Sequence, residues 1–387
     1  MIVQLRGVNF SNKGSELMIH AVVQRMSDVY TDAIVAADVR TGNFHQRSEA
    51  GLHHLAAVYS GRYPIARPIV GSLASLVPRG LRQACHLVTG DQVEAVLDAS
   101  GFAYTDQWGP RISEFTAQLC TIWKNAGKKI IFLPQAFGPF RGARIQRAVA
   151  QITAHADLMF ARDRISYGCL LELAEDPSRI HLAPDFTNIV SGRLRGFYEA
   201  LENQPCIIPN HKMVSKNSRI SREAYVTFLV NSSEHLLAQG LKPFVLIHAE
   251  GEDLELAKSL QAQIQAVMQI VHEPSPILIK GIIGRSLIVI GARYHGLVSS
   301  LSQAVPSLGT GWSHKYELLF EDYGCPECLV SPRQTWNSIR RKIDDLIHRP
   351  SRSRLVARLE EASVAQRNLT VDMWCKVDRV LRGSSEE

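Results

Sequence analysis

Short apolar runs alternate with amphipathic stretches along nearly the whole chain, in two series split by one polar interruption. That rhythm limits the fold more than any other feature, because repeated strand–helix units build a parallel sheet. In the first series the expected strands are IVQLRGV, AIVAAD, EAVLDAS, KKIIFLPQ, DLMFARD and RIHLAPD, with helices RISEFTAQLCTIWKNAG, ARIQRAVAQITAHA and RISYGCLLELA. The stretch from His45 to His86, broken by Gly61, Pro64, Pro68, Gly71 and Pro78, is expected to form loops and irregular helices. Asn188 to Pro205 (NIVSGRLRGFYEALENQP) loses the rhythm and is expected to hold a domain hinge. A second series follows: strand CIIPN, helix REAYVTFLVNSSEHLLAQG, strand KPFVLIH, helix EDLELAKSLQAQIQAVMQ, strand SLIVIGA, helix HGLVSSLSQA and strand VPSLGT. TWNSIRRKIDDLIHR and RLVARLEEASVAQRNLTVDMWCKVDRVL read as closing helices. The expected fold class is therefore α/β, two Rossmann-like lobes facing across a cleft, with parallel sheets and a helical C-terminus. The expected domains are residues 1–190, 191–350 and 351–387. In open α/β sheets, ligands sit beyond the carboxyl ends of the strands.

Composition narrows the partners. At 387 residues, 45% hydrophobic and 21% charged, the chain is globular and long enough for two cores. A formal charge of +6 without long basic blocks gives no reason to expect nucleic acid. The densest basic stretches, SIRRK and HRPSRSR, read as solvated helix faces, with weak attraction to an acidic membrane surface or an anionic glycan as the other reading. Of seven cysteines only Cys325 and Cys328 have metal-ligand spacing, and a closed zinc site needs two more ligands, so no metal is expected. No signal-like start and no apolar run near the roughly 20 residues of a membrane span are present, so the expected location is the cytoplasm, with peripheral contact at the inner membrane surface as an extension.

Five strand ends carry small or polar residues. In NFSNKGSELMI, Gly14 permits close backbone approach and Ser15 can cap the following helix, which suits either plain architecture or a phosphate or sugar. Ser100 and Gly101 follow a strand and read first as a tight turn; Gln135 and Gly138 lie in the rigid loop LPQAFGPF, which can present an amide. In FARDRISYGCLLE, Asp163 reads as a helix cap, while Arg162 suits a carboxylate or phosphate. Asp185 ends the strand of LAPDF, where a hinge-supporting bond and catalysis are both open. The fifth is IGARYHGLVSSL: Arg293 and His295 lie two apart after a strand, Gly296 relieves crowding, and clustered donors there favour function over structure.

Taken in order, NFSNKGSELMI, LPQAFGPF, ARDRISYGCLLE, APDF, GARYHGLVSSLSQAVPSLG and WSHKYELLFEDYG resemble the polysaccharide pyruvyl transferase family, from Asn9 to about Gly324. The resemblance implies a GT-B-like fold. It also implies transfer of a pyruvyl group from phosphoenolpyruvate to two hydroxyls of a sugar in a polysaccharide or its lipid-linked precursor, giving a cyclic ketal. Carried over by motif, Arg162, Arg293 and His295 are the expected catalytic residues. Arg162, Arg293, Tyr294, His295, Gly296 and Lys315 are the expected donor ligands, and Asn12, Gly14, Ser15, Ser100 and Gln135 the expected acceptor ligands. Ser15 stands where the family carries an acid, and DASGF reduces a glycine-rich strand end. Phosphoenolpyruvate enters as co-substrate; no cofactor is expected. A nucleotide-sugar glycosyltransferase and a non-catalytic glycan-binding relative are the alternatives.

Overall fold

A computed structural model describes residues 1–56, 77–214, 220–249, 251–311 and 313–383. The chain divides into two compact units, Met1–Phe10 with Met18–Phe186 and Leu369–Glu387, and Ser11–Leu17 with Thr187–Asn368. The division is not the three consecutive segments the composition shift at 188–205 points to. The final helix Ser351–Arg382 runs without a break through Asn368, and an early segment of seven residues groups with the second unit.

The first unit holds an eight-stranded sheet in the order β4-β3-β2-β1-β5-β6-β7-β8. Its strands are β1 Ile2–Arg6, β2 Ile34–Asp38, β3 His53–Ala56, β4 Leu87–Thr89, β5 Ala95–Asp98, β6 Lys129–Gln135, β7 Leu158–Ala161 and β8 Ile180–Leu182. All seven pairings are parallel. Near-continuous apolar runs such as KIIFLPQ fit this, because strands covered on both faces cannot alternate polar and apolar residues. The helices include α1 Lys13–Val29, α2 Phe44–Glu49, α3 Arg79–Ala84, α4 Arg111–Asn125, α5 Ala143–His155 and α6 Arg164–Leu171. Ala117, Cys120 and Trp123 of α4 share a buried cluster with Ile145, Val149 and Ile152 of α5. The stretch from His45 to His86, expected to form loops and irregular helices, holds the short helices α2 and α3, and is corrected by the strand β3; residues 57–76 of that stretch lie outside the described residues. Two adjacent histidines at the start of β3 hid a strand whose remaining residues are apolar.

The second unit holds a five-stranded parallel sheet, order β11-β10-β9-β12-β13. Its strands are β9 Cys206–Ile208, β10 Phe244–Leu246, β11 Ile270–Val271, β12 Val289–Gly291 and β13 Ser307–Gly309. The helices are α7 Arg222–Ala238, α8 Glu252–Gln261, α9 Pro276–Gly284, α10 Tyr294–Leu301, α11 His314–Asp322 and α12 Trp336–Ile347, before α13 Ser351–Arg382. Alternate strand residues face two separate cores, Ile207, Val245 and Ile290 in one and Cys206, Ile208, Phe244 and Val289 in the other. The sheet is thus wound on both faces. Helix α8 stops at Gln261, short of the expected Gln269, and α9 is a helix the sequence reading does not contain. Ser275 caps α9 through Leu278 N, with Pro276 at its first position.

The polar stretch after Asn188 is strapped onto α9. Fully buried Lys280 donates to Thr187 O at 2.6 Å, and a Cβ on Gly281 would lie 1.8 Å from Arg193 O. Only glycine lets those backbones approach so closely. Among the described residues no helix is long and apolar enough to cross a membrane.

Candidate active site

In each sheet the strand order reverses once, between β1 and β5 in the first unit and between β9 and β12 in the second. Such a reversal opens a crevice at the carboxyl ends of its two strands. In the second unit those ends carry Asn210 and His211 after β9 and Arg293 to His295 after β12, with His248 after neighbouring β10. Asn210 Nδ2 donates to Ala292 O at 2.6 Å, and Tyr316 OH donates to the same oxygen at 3.0 Å, fixing the turn that presents Arg293. A Cβ on Gly296 would come within 3.1 Å of Ile208 Cδ1, so its small size serves close packing against β9.

Arg293 is held by a buried carboxylate. Its Nε donates to Asp253 Oδ2 at 2.8 Å and its Nη2 lies 2.5 Å from the same oxygen, while Asp253 is 0% exposed. The other oxygen, Oδ1, accepts from His211 N at 3.0 Å and lies 3.1 Å from His211 Nδ1. Arg293 Nη2 is also 3.2 Å from that Nδ1, and His211 Nε2 is 2.7 Å from Glu252. The guanidinium is therefore a fixed, oriented donor whose charge is balanced locally.

Ser11–Leu17 belongs to this same unit and closes one side of the site. Asn12 forms an antiparallel bridge with Ala249, and Lys13 N donates to His248 O at 3.3 Å. A Cβ on Gly14 would lie 2.2 Å from His295 Nδ1, so the imidazole rests on bare backbone. The helix entry is capped by Asn12, whose Oδ1 accepts from Gly14 N at 3.0 Å, correcting the expectation that Ser15 does so; Ser15 is already inside the first turn. Lys13 Nζ donates to Glu16 Oε2 at 2.8 Å. Tyr294 packs edge-on against His295, and Lys315 Nζ sits 5.2 Å above the Tyr294 ring and 5.5 Å above that of Tyr316.

His248 is a site residue the sequence reading missed. It is 3% exposed, and its Nδ1 is buried without a hydrogen-bond partner. Burial first, then the charges of Arg293, His295 and Lys13, hold its pKa well below the ordinary imidazole value, so the ring is neutral. The available signal was its place as the last residue of the apolar run KPFVLIH.

Of the expected site residues, Asn12, Gly14, Ser15, Arg293, Tyr294, His295, Gly296 and Lys315 belong to the second unit; Ser100, Gln135 and Arg162 belong to the first. The three first-unit residues serve internal networks. Gln135 is 0% exposed and its Nε2 donates to Asp98 O and Oδ1 at 3.2 Å, which corrects its reading as an amide offered to an acceptor. Ser100 N donates to Asp98 Oδ1 at 3.1 Å, and its side chain fills the space a Cβ on Gly7 would need. Arg162 Nη1 is 3.0 Å from Asp185 Oδ2 with both side chains buried, a paired cation instead of one presented at a helix start. Asp163 caps α6 through Ser166 N at 2.7 Å, as its position predicts.

A transferase reading of this site agrees with comparison by sequence. The chain belongs to the polysaccharide pyruvyl transferase family, whose pattern it matches over residues 12–314, from the segment under His295 to the first residue of α11. No curated protein matches it by sequence. Solved structures share its α/β, GT-B-like fold. UDP-GlcNAc 2-epimerase from Neisseria meningitidis bound to UDP-GlcNAc is 10% identical, with TM-score 0.61 over 98% of this chain and 100% of that chain. S. aureus MnaA with UDP is 11% identical, with TM-score 0.60 over 100% and 98%. Anabaena Alr3699/HepE in complex with UDP-glucose is 12% identical, with TM-score 0.58 over 97% and 99%. At these identities the likeness is one of fold.

Proposed function

We propose that the protein transfers the pyruvyl group of phosphoenolpyruvate to two hydroxyls of a sugar in a polysaccharide or its lipid-linked precursor, forming a cyclic ketal. The observation that carries this reading is the grouping of Arg293, His295, Lys13 and His248 at the reversal point of the second sheet, inside the span matched by the family. A small, highly charged anion needs oriented N–H donors and nearby proton carriers, and this grouping supplies both.

In the proposed reaction Arg293, fixed by Asp253, orients the donor, with Tyr294, Gly296 and Lys315 lining the same turn. His295 delivers a proton to the methylene carbon, making an oxocarbenium-like centre that a sugar hydroxyl attacks. The bond from that carbon to the phosphate oxygen then breaks and the neighbouring hydroxyl closes the ring. The two hydroxyl protons end on the new methyl group and on the released phosphate, so no net proton is consumed. Imidazole suits this work because it titrates near pH ~6.5, close to neutrality.

The test is incubation with phosphoenolpyruvate and a panel of free and lipid-linked glycans. A pyruvyl mass increment with release of phosphate is expected, and no increment on any acceptor counts against the reading. A second reading, a nucleotide-sugar donor, is favoured by the UDP-bound structural neighbours. The two separate by thermal stabilisation: the favoured reading expects the unfolding midpoint to rise with phosphoenolpyruvate and not with UDP-sugars, since a ligand that binds only the native state stabilises it.

A further inference from the structure

Two fixed cations of the site are balanced by carboxylates, Arg293 by Asp253 and Lys13 by Glu16. A donor with several negative charges entering here meets cations already paired within the protein, and a neutral group that becomes a cation strengthens its binding. His211 already lies between the carboxylates of Asp253 and Glu252, so a proton on it is compensated within the protein. His295 is assigned to proton delivery. His248, after the end of β10, has its Nδ1 buried without a hydrogen-bond partner, its carbonyl is tied to Lys13 N, and the next residue of that segment, Gly14, lies under His295.

We propose that His248 is a further donor-site residue, and that its ring takes up one proton from solvent as the anion enters. The proposal rests on the anion-site part of the reading above. The groups that keep the ring neutral in the empty protein are the cations beside it, Lys13 of α1 and Arg293 and His295 of the turn after β12, together with its burial. An anion placed among those groups offsets their repulsion, and the proton affinity of the ring rises. His248 then contributes a charge-assisted contact that exists only in the loaded site. Binding is accordingly tighter at mildly acidic pH than at alkaline pH.

The experiment is calorimetry of the full-length protein at neutral pH, in buffers of different ionisation enthalpy, with two probes: sulfate, which carries no titratable proton there, and phosphoenolpyruvate. Wild type is expected to take up close to one proton with either probe, and His248→Asn and His248→Gln to take up much less while binding more weakly. Unchanged uptake in a folded variant, or no uptake by wild type on binding either probe, overturns the assignment; the wild-type measurement stands even where a variant fails to fold. Sulfate binding with uptake and no binding of phosphoenolpyruvate leaves His248 as an anion residue and removes the pyruvyl-donor reading alone. Binding of neither probe removes both.

Discussion

Each unit of the molecule has a buried aspartate that accepts several hydrogen bonds and holds an arginine, yet the two arrangements point to different ends. In the first unit Asp98, 1% exposed, accepts from Arg6 Nη1 at 2.7 Å, Tyr104 OH at 2.8 Å, Ser100 N at 3.1 Å and Gln135 Nε2 at 3.2 Å. Arg6 then lies 5.3 Å over the ring of Trp123, and burial followed by the charge of Asp98 pushes the Tyr104 hydroxyl far above the ordinary tyrosine range. In the second unit Asp253 holds Arg293 in the same way, but the guanidinium keeps company with the imidazoles of His211, His248 and His295 and the ammonium of Lys13 instead of an indole. An arginine–carboxylate pair at a strand end is thus silent about function by itself. What borders the pair decides, an apolar lid in one case and titratable groups in the other.

The comparison can be broken most sharply at the two aspartates. Asp98→Ala and Asp253→Ala should each cost about 3–5 kcal/mol of stability, because each strands an arginine with little access to water. Added sulfate should recover part of the loss in Asp253→Ala and none in Asp98→Ala, which denaturant titration with and without sulfate reads directly; equal recovery in both would erase the distinction. Next in size is His295→Ala, expected to lower turnover roughly 100- to 10,000-fold with little effect on donor affinity, as single-turnover and binding measurements would show. Gly14→Ala sets a methyl group against the His295 ring and should reduce turnover roughly 100-fold, the effect of a misplacement near 1 Å. Its control is Gly101→Ala at the other reversal point, where a Cβ meets open space and only the positive φ of 70° is strained, a stability cost of about 1 kcal/mol with turnover kept.

A smaller effect appears against pH. Since the folded-state pKa of His248 lies below the unfolded value, its contribution to stability is present above pH ~6.5 and is lost as pH falls toward the folded value, because the unfolded chain binds the proton first. The slope should not exceed about 1.4 kcal/mol per pH unit, and the His248→Asn variant should lack it. Smallest of all, Lys315→Gln removes a cation from two tyrosine faces and should cost about 0.5–1 kcal/mol in donor affinity or stability.

Where the chain's chemistry is local, it was legible. Long apolar strands, Asp163 as a cap and the strand-ending Arg293 and His295 all follow from neighbours within a few positions. Helix α9 escaped because PILIKGIIG is apolar on every side, carries two glycines and shows no helical period. Gln135 misled because its loop is rigid and proline-bound in sequence, while only the fold shows that Asp98 occupies its amide. His248 and Asp253 were invisible for a different reason. One reads as the end of a strand and the other as an acid in the first turn of a helix, and their meaning depends on Asn12 to Gly14 arriving from the far end of the chain.

That arrival has a consequence for synthesis. Gly14 leaves the ribosome well before the ring it must support, with most of the first unit and much of the second made in between. No nascent or truncated product ending before His295 can own this pocket, and a gene piece starting at Thr187 would yield a protein missing one wall of its own chemistry. Supplying the missing wall as a separate peptide would show how much of the pocket those few residues build.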